Sequence, residues 1–124
     1  MRDPRWGRAE EVFGECPHLT SELAVEIVTG MQGNNEGEIT APGGGSLMAG
    51  ACCKHYAVYS SENVPVDRTK LNVNVSARSL YETYLPAMKA CVARAKATHV
   101  MCSCKPPHPP ATICHASKSP ACPS

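Results

Sequence analysis

Two short apolar runs with a helical segment between them constrain the fold of this chain more than any other feature. The first run, LMAGACCKHYAVY (residues 47–59), is apolar at its start and then becomes charged and polar. The second run, THVMCS (residues 98–103), is β-branched and apolar, and Ser76 starts a helical pattern between the two. Two such runs joined by a helical segment are typical of a parallel sheet with helical crossovers. We therefore predict an α/β fold in which both runs form buried strands.

Two helices with an apolar stripe are predicted from the spacing of their residues. The first lies in HLTSELAVEIVTGMQG, where the apolar positions are Leu23, Ala24, Ile27, Val28 and Met31. Thr20 or Ser21 would cap its start, and Gly30 or Gly33 would end it. The second begins at Pro86, which suits the first position of a helix. Its apolar positions are Met88, Cys91, Val92 and Ala95.

The charge balance and the hydropathy of the chain argue against two classes of partner. Twelve Lys and Arg residues face eleven Asp and Glu residues, so the net charge is only +1 and no field of one sign attracts a nucleic acid. No apolar run approaches the ~20 residues that a membrane span needs. The charged N-terminus lacks the apolar core of a signal peptide. We expect a soluble protein without nucleic-acid or membrane partners, and its compartment stays open.

The composition changes sharply after Ser103. Residues 104–124 are rich in proline and contain no acidic and no aromatic residue. Proline removes a backbone donor and fixes φ, so this segment is a poor candidate for a helix or a sheet strand. We predict one domain over residues 1–103 and a disordered tail over residues 104–124.

Eight cysteines leave three interpretations open. An even number in a short chain is compatible with disulfides, but the cysteines are clumped rather than regularly spaced. Buried free thiols are the favoured interpretation, since Cys53 and Cys102 fall within the apolar runs. A small zinc-binding module is the third interpretation, and its ligands would be Cys102, Cys104, His108, Cys114 and His115. These residue types suit zinc, although their spacing differs from that of the usual zinc fingers.

Three groups of residues keep the order and spacing of a known family. They are RDPRWGR with GEC shortly after it (residues 2–8 and 14–16), ACCKHYAVYSSEN (residues 51–63) and VMCS (residues 100–103). Together they resemble the N-terminal barrel domain of glycoside hydrolase family three, the β-glucosidases and β-xylosidases. Members of that family read R-D-P-R-W-G-R, G-E-D-P, A-C-x-K-H-[FY] and V-M-x-S-Y-N. The resemblance covers residues 2–103 and implies a fragment of a (β/α)8 TIM-type barrel.

The resemblance also implies which residues bind substrate. Arg8 matches the arginine that hydrogen-bonds the sugar in the subsite before the scissile bond, and Lys54 and His55 match the pair that binds hydroxyls of the same sugar. The implied substrate is a β-linked glycoside or xylo-oligosaccharide, without cofactor or metal. Full-length relatives are often extracellular or in the cell wall. Without the resemblance, Arg2, Arg5 and Arg8 beside Asp3 would be taken as a surface ion-pair cluster.

The resemblance implies a retaining β-glycosidase, but the catalytic groups of that reaction are not in this sequence. Retaining enzymes use two carboxylates, a nucleophile and an acid/base. In the family the nucleophile is an aspartate in an S-D-[WY]-like segment well after VMCS, and no aspartate follows Asp67 here. Cys16 and Cys104 also depart from the family motifs. We expect an inactive fragment, with a sugar-binding pseudoenzyme as an alternative. Three nearby glutamates are expected to shape the loop rather than to catalyse: Glu10, Glu11 and Glu15.

Overall fold

The computed structural model of the protein describes residues 3–63, 67 and 74–103, and it contains helices and a small sheet. The helices are α1 (Pro17–Gln32), α2 (Ala77–Ser79) with a π-helical turn after it (Leu80–Tyr84), and α3 (Pro86–Ala93). The strands are β1 (Cys52–Tyr56) and β2 (His99–Cys102), and a 3₁₀ turn spans Ala9–Glu11. The predicted α/β class is confirmed. No helix in the described part is long and apolar enough to cross a membrane.

Strands β1 and β2 pair in parallel, as the sequence predicts. Cys52 lies opposite His99, Cys53 opposite Val100, and the register shifts by one residue between Lys54 and Tyr56. Such a bulge bends the strand and changes the direction of the side chain at the irregularity. His55 is the residue at this irregularity. The carboxyl end of β1 is therefore where the backbone departs from regular pairing.

Helix α1 begins earlier than the sequence suggests and ends where expected. Cys16 is its N-cap and Pro17 its first residue, so the prediction of a cap at Thr20 or Ser21 is wrong. The fixed φ of proline suits the first turn, which allows the helix to start before the polar residues. Gly33 ends the helix with a φ of 69°, a left-handed conformation that favours glycine.

The buried face of α1 differs from the predicted apolar stripe. The helix residues that are buried are Ser21, Val25, Val28 and Gln32. Only Val28 belongs to both sets, while three predicted residues are exposed: Leu23, Ile27 and Met31. The reason is that α1 packs against α3, and this contact selects the face that carries Val25 and Val28.

Helices α2 and α3 begin as predicted. The Ser76 hydroxyl accepts a hydrogen bond from Ser79 N at 3.1 Å, and Pro86 is the first residue of α3. Of the stripe predicted for α3, Cys91 and Ala95 are buried, whereas Val92 is 47% exposed. Proline again fits the first helical turn, where its missing N–H costs no hydrogen bond.

The core lies between α1, α3 and the start of β1, and its side chains are small. It consists of Val25, Val28, Ala51, Ala90, Cys91 and Ala95, with Cys53 and Ala97 packed against it. The prediction of two buried strands is wrong, because every residue of β2 is exposed. Parallel strands become buried when neighbouring strands and helices cover both faces. Within the described residues β2 has only β1 beside it.

One polar side chain, Gln32, connects the end of α1 to the starts of both strands. It is fully buried, and its Oε1 accepts hydrogen bonds from Ala51 N at 3.2 Å and from Thr98 N at 3.0 Å. Its Nε2 donates to the carbonyls of Ala95 and Lys96 at 3.3 and 3.2 Å. These bonds satisfy backbone groups that would otherwise be buried without partners. Gln32 thereby fixes where β1 and β2 begin relative to α1.

The cysteines do not follow the interpretation of buried free thiols. Cys53 of β1 and Cys91 of α3 form a disulfide, while Cys16, Cys52 and Cys102 are free and exposed. The two apolar runs do not bury Cys52 or Cys102, because the sheet leaves these positions facing outward. The remaining cysteines and the tail over residues 104–124 lie outside the described residues. Of the five proposed zinc ligands only Cys102 is described.

Candidate functional site

The N-terminal loop folds into consecutive turns that place Arg8 beside the sheet. Trp6 N donates to Asp3 O at 3.1 Å, and Ala9 N donates to Trp6 O at 3.0 Å. Arg5 forms a local pair with Asp3, whose Oδ2 lies 2.6 Å from Arg5 Nη2. The hydrogen bonds from Arg5 lower the pKa of the Asp3 carboxyl to about 2. Arg5 therefore pairs with Asp3, as the ion-pair interpretation of the cluster expects, whereas Arg8 pairs with Glu11 instead.

Arg8 forms a two-pronged ion pair with Glu11 across the 3₁₀ turn. Arg8 Nε lies 2.6 Å from Glu11 Oε1, and Nη2 lies 2.7 Å from Oε2. Charge-assisted pairs of this geometry are among the stronger protein hydrogen bonds and fix the guanidinium plane. The hydrogen bonds to Glu11 raise the pKa of Arg8 above its ordinary value, and the hydrogen bond to Tyr59 adds a smaller effect in the same direction. Arg8 stays fully charged and held in one orientation.

The same carboxylate reaches the sheet through Lys54. Lys54 Nζ lies 2.5 Å from Glu11 Oε2, although the two residues are 43 positions apart in sequence. The side chains of Arg8, Glu11 and Lys54 are 25%, 32% and 40% exposed, so this trio lies at the protein surface. The hydrogen bonds from Arg8, which have the largest effect, and the hydrogen bond from Lys54 lower the pKa of the Glu11 carboxyl to about 2. Glu11 is therefore ionised at neutral pH and joins the loop to β1.

Tyr59 connects Arg8 to His55 on the other side. Arg8 Nη1 donates to the Tyr59 hydroxyl at 3.3 Å, and the guanidinium carbon lies 5.4 Å from the ring centroid. The rings of His55 and Tyr59 meet edge to face with centroids 4.8 Å apart. Trp6 contacts Tyr59 in the same manner at 5.2 Å. The tyrosine hydroxyl in turn donates to Glu62. Edge-to-face packing of this kind restricts ring orientation.

A cavity of about 290 Å³ opens beside this cluster. Its lining includes Trp6, Glu11, Lys54, His55 and Tyr59 together with residues of α1 and α3. Two of the three predicted site residues, Lys54 and His55, thus line the cavity directly. Arg8 does not belong to the lining and is connected to it through Glu11 and Tyr59. The volume is close to the lower end of small-molecule sites, ~300 Å³.

The structure brings the three predicted residues together, but the residues that join them were not identified from the sequence. The sequence predicts only a loop-shaping role for Glu11 and no role for Tyr59. The spacing of three between Arg8 and Glu11 is a signal for an ion pair, because such residues lie on one side of a helical turn. No comparable signal exists for Tyr59. Its contacts to Arg8 and His55 depend on tertiary structure.

The chemistry available at this site is that of hydrogen-bond donors around an ionised carboxylate. Arg8 and Lys54 donate hydrogen bonds and remain charged, and histidine can donate or accept. Glu11 is unsuited to give up a proton, because its pKa of about 2 leaves it ionised. No group of three or more His, Cys, Asp or Glu side chains among the described residues is arranged to hold a metal ion. Donors of this kind can form hydrogen bonds with the hydroxyl groups of a ligand.

Comparison with curated proteins finds relatives among β-xylosidases. The xylan 1,4-beta-xylosidase of Xylanibacter ruminicola is 43% identical over 103 residues, which is 83% of this chain and 11% of the relative. Beta-D-xylosidase 1 of Arabidopsis thaliana is 40% identical over 104 residues, again 83% of this chain and 12% of the relative. The chain therefore spans only about an eighth of the length of the curated relatives that it matches.

Solved structures and a family profile agree with these relatives. A GH3 exo-beta-xylosidase in complex with a xylobiose aziridine probe matches 84% of this chain, and the chain covers 13% of it, with a TM-score of 0.74 and 33% identity. The beta-glucosidase from Listeria innocua matches 85% with a TM-score of 0.64 and 38% identity, and the chain covers 14% of it. The profile of the glycosyl hydrolase family 3 N terminal domain matches residues 1–119. Because the family profile, the curated relatives and the solved structures agree, the chain belongs to glycosyl hydrolase family 3 and carries part of its N-terminal domain.

Proposed function

We propose that this chain forms part of the sugar-binding site of a β-glycosidase of the β-xylosidase or β-glucosidase type. Arg8, Lys54 and His55 bind hydroxyl groups of one sugar ring. The observation that carries the proposal is the junction at Glu11, which brings the loop arginine to the strand lysine beside a cavity. Residues distant in sequence converge there with donors that a sugar ring can use.

The proposed substrate is a β-linked xyloside or a short xylo-oligosaccharide, and a β-glucoside is the second choice. Support comes from the names of the relatives, which include a xylan 1,4-beta-xylosidase, and from the solved exo-beta-xylosidase with its xylobiose-based probe. A neutral pyranose offers hydroxyls and no charge, so recognition depends on donors held in place. Arg8 and Lys54 are held in this way by Glu11.

We further propose that the unit from β1 through α2 and α3 to β2 is one part of a (β/α)8 barrel. Lys54 and His55 lie toward the carboxyl end of β1, and Glu11 of the N-terminal loop contacts Lys54 there. Active sites of that fold are built at the carboxyl ends of the barrel strands. This placement agrees with a substrate site at the end of β1.

Binding without bond cleavage is the expected behaviour of the 124-residue chain. Retaining glycosidases need two carboxyl groups ~5–5.5 Å apart, of which one must donate a proton. Glu11 is engaged by Arg8 and Lys54 and stays ionised. We expect no hydrolysis of aryl β-xylosides or aryl β-glucosides by this chain. Turnover above that of a heat-inactivated sample, retained through repurification, would contradict this expectation.

Ligand-observed NMR with xylobiose tests the proposed binding. The wild-type chain should show saturation transfer to xylobiose but not to the α-linked disaccharide maltose. Arg8→Gln and Lys54→Met should each weaken binding by roughly tenfold or more, because each removes hydrogen bonds from a charged donor. Matched controls are Arg78→Gln and Lys89→Met, which change exposed residues that do not belong to the lining of the cavity. A folded wild-type chain that does not bind, or equal loss in the controls, would overturn the proposal.

A further inference from the structure

We infer that Glu11 is a positioning residue that holds Arg8 and Lys54 as one unit for sugar binding. The inference rests on the proposed function and assigns a role to a residue that the family motifs did not single out. Glu11 acts through the two cations and does not itself bind the sugar. Three observations support it: the use of both carboxylate oxygens, the separation of the joined segments in sequence, and the number of donors left for a ligand.

Both oxygens of Glu11 are occupied by the cations. Oε1 accepts from Arg8 Nε at 2.6 Å, while Oε2 accepts from Arg8 Nη2 at 2.7 Å and from Lys54 Nζ at 2.5 Å. The two parallel bonds to the guanidinium define its plane as well as its position. A carboxylate in this arrangement organises its neighbours and has little capacity left for a ligand hydroxyl.

Lys54 gains most from this arrangement. A lysine side chain has a flexible four-carbon stem, so an unrestrained ammonium samples many positions. Lys54 is 40% exposed, and its bond to Glu11 anchors the ammonium beside Arg8. Two cations near each other also repel, and the carboxylate between them offsets this repulsion. Loss of the Glu11 charge would therefore loosen Lys54 and separate it from Arg8.

Counting donors shows that the unit can still bind a sugar. A guanidinium has five N–H groups and an ammonium has three. Glu11 takes two N–H groups of Arg8, and Tyr59 takes a third. Glu11 takes one N–H of Lys54. Within the described part of the chain, two N–H groups of Arg8 and two of Lys54 are then left to donate to a ligand.

The substitution Glu11→Gln tests the role with almost no change in side-chain size. It removes the charge and replaces an acceptor oxygen by an N–H₂ group, which cannot accept from the cations. Glu10→Gln is the matched control, since Glu10 lies in the same turn and is exposed. We expect Glu11→Gln to weaken xylobiose binding by roughly tenfold and Glu10→Gln to leave it unchanged. Thermal unfolding of both variants shows whether the fold is kept.

A spectroscopic signature separates positioning from a general loss of structure. The Nε–H resonance of Arg8 should be shifted and protected from solvent exchange in the wild-type chain and in Glu10→Gln, and it should lose both properties in Glu11→Gln. Glu11→Gln that keeps wild-type affinity, or that keeps the Arg8 signal, would overturn the inference. Absence of xylobiose binding by the wild-type chain would instead contradict the proposed function, while the Arg8 signal would still report on the junction.

As a second measurement, the 85% of this chain that matches the Listeria innocua beta-glucosidase at 38% identity can replace the corresponding segment of that enzyme. Hydrolysis of an aryl β-glucoside then gives kcat and KM for the two variants in a complete enzyme. We expect Glu11→Gln to lower kcat/KM by roughly tenfold relative to Glu10→Gln. Equal values for the two variants in an active chimera would overturn the inference.

Discussion

At the scale of single residues, the start of helix α1 depends on how its first backbone N–H groups are paired. Cys16 is the N-cap, and its Sγ accepts from Leu19 N at 3.5 Å. A thiol sulfur is a weak acceptor, whereas a carboxylate accepts strongly and interacts favourably with the helix dipole. We predict that Cys16→Asp raises the free energy of unfolding by about 0.5–1 kcal/mol at neutral pH. Urea denaturation measures the difference.

Cys16→Ala is the control for this prediction, because it removes the thiol without adding an acceptor. Its stability should be no higher than that of the wild-type chain. The gain in Cys16→Asp requires an ionised carboxyl, so it should disappear as the pH falls below the pKa of the new aspartate. A Cys16→Asp chain no more stable than Cys16→Ala at neutral pH would contradict the role given to the cap.

The candidate site shows what can be predicted for single residues and what cannot. Short motifs predict Arg8, Lys54 and His55 as site residues, and the structure places them in one cluster. The motifs did not reveal how they are joined. Glu11 bonds to Lys54 across 43 positions, and Tyr59 bonds to Arg8 across 51. Contacts over such separations depend on how the chain folds, so they follow only from the tertiary structure.

At the scale of elements, Gln32 holds the end of α1 against the starts of β1 and β2. Its fully buried amide accepts from Ala51 N and Thr98 N. Leucine at this position would leave the buried Ala51 N–H and the partly buried Thr98 N–H without this acceptor. Each such loss costs about 1–3 kcal/mol, so we predict that Gln32→Leu lowers the free energy of unfolding by about 2–4 kcal/mol. Glu26→Leu introduces the same side chain on the exposed side of α1 and should change stability little. Equal effects of the two substitutions in urea denaturation would refute the prediction.

An ion-pair cluster connects α1, the loop after it and the end of α3. Arg94 Nη1 lies 2.6 Å from Glu22 Oε1, and Arg94 Nε lies 2.6 Å from Glu36 Oε1. Hydrogen bonds from Arg94 lower the pKa of both carboxyls. A depressed pKa in the folded state stabilises the fold above the unfolded pKa of ~4.3, and this contribution is lost as the pH falls further.

We therefore predict that Arg94→Gln reduces the loss of stability on acidification below the ordinary glutamate pKa. The variant should be less stable than the wild-type chain at neutral pH, and the difference should shrink as Glu22 and Glu36 become protonated. Urea denaturation midpoints measured over a pH series give the slope of stability against pH for the wild-type chain and for Arg94→Gln. Arg78→Gln is the matched control, because Arg78 pairs with Glu82 on a more exposed surface. Parallel slopes for the wild-type chain and Arg94→Gln would rule the prediction out.

The helices and strands were predicted better than the surfaces that they bury. Gly33 and Pro86 act through local backbone geometry and Ser76 through a hydrogen bond to a residue three positions later, so their roles at helix ends can be read from the sequence. The buried face of α1 cannot be read in this way, because it includes polar Gln32. Gln32 is tolerated in the interior only because Ala51, Thr98 and neighbouring carbonyls meet its amide. Burial of β2 was predicted wrongly for a related reason, since burial depends on neighbouring elements.

At the scale of the whole molecule, the described part buries few large apolar side chains. Its core contains valine, alanine and cysteine, whereas larger side chains on α1 and β2 face outward. Met31 is 51% exposed and Met101 is 47% exposed. Within the described residues the sheet consists of β1 and β2, so the outer edge of β2 has no neighbouring strand there. Exposed apolar surface and open sheet edges favour association between molecules.

We predict that the 124-residue chain binds an apolar fluorescent dye and associates with itself as its concentration rises. Met31→Lys and Met101→Lys should each reduce dye fluorescence and association without lowering the melting temperature, because both side chains are already in contact with water. Ser46→Lys adds the same charge at an exposed polar position and serves as the matched control. If Ser46→Lys reduced association as much as the methionine variants, net charge rather than apolar surface would be responsible. Dye titration measures the exposed apolar surface, and analytical ultracentrifugation at several concentrations measures self-association. A loss of apolar contact lowers dye fluorescence and self-association together, whereas a change in net charge alone lowers only self-association.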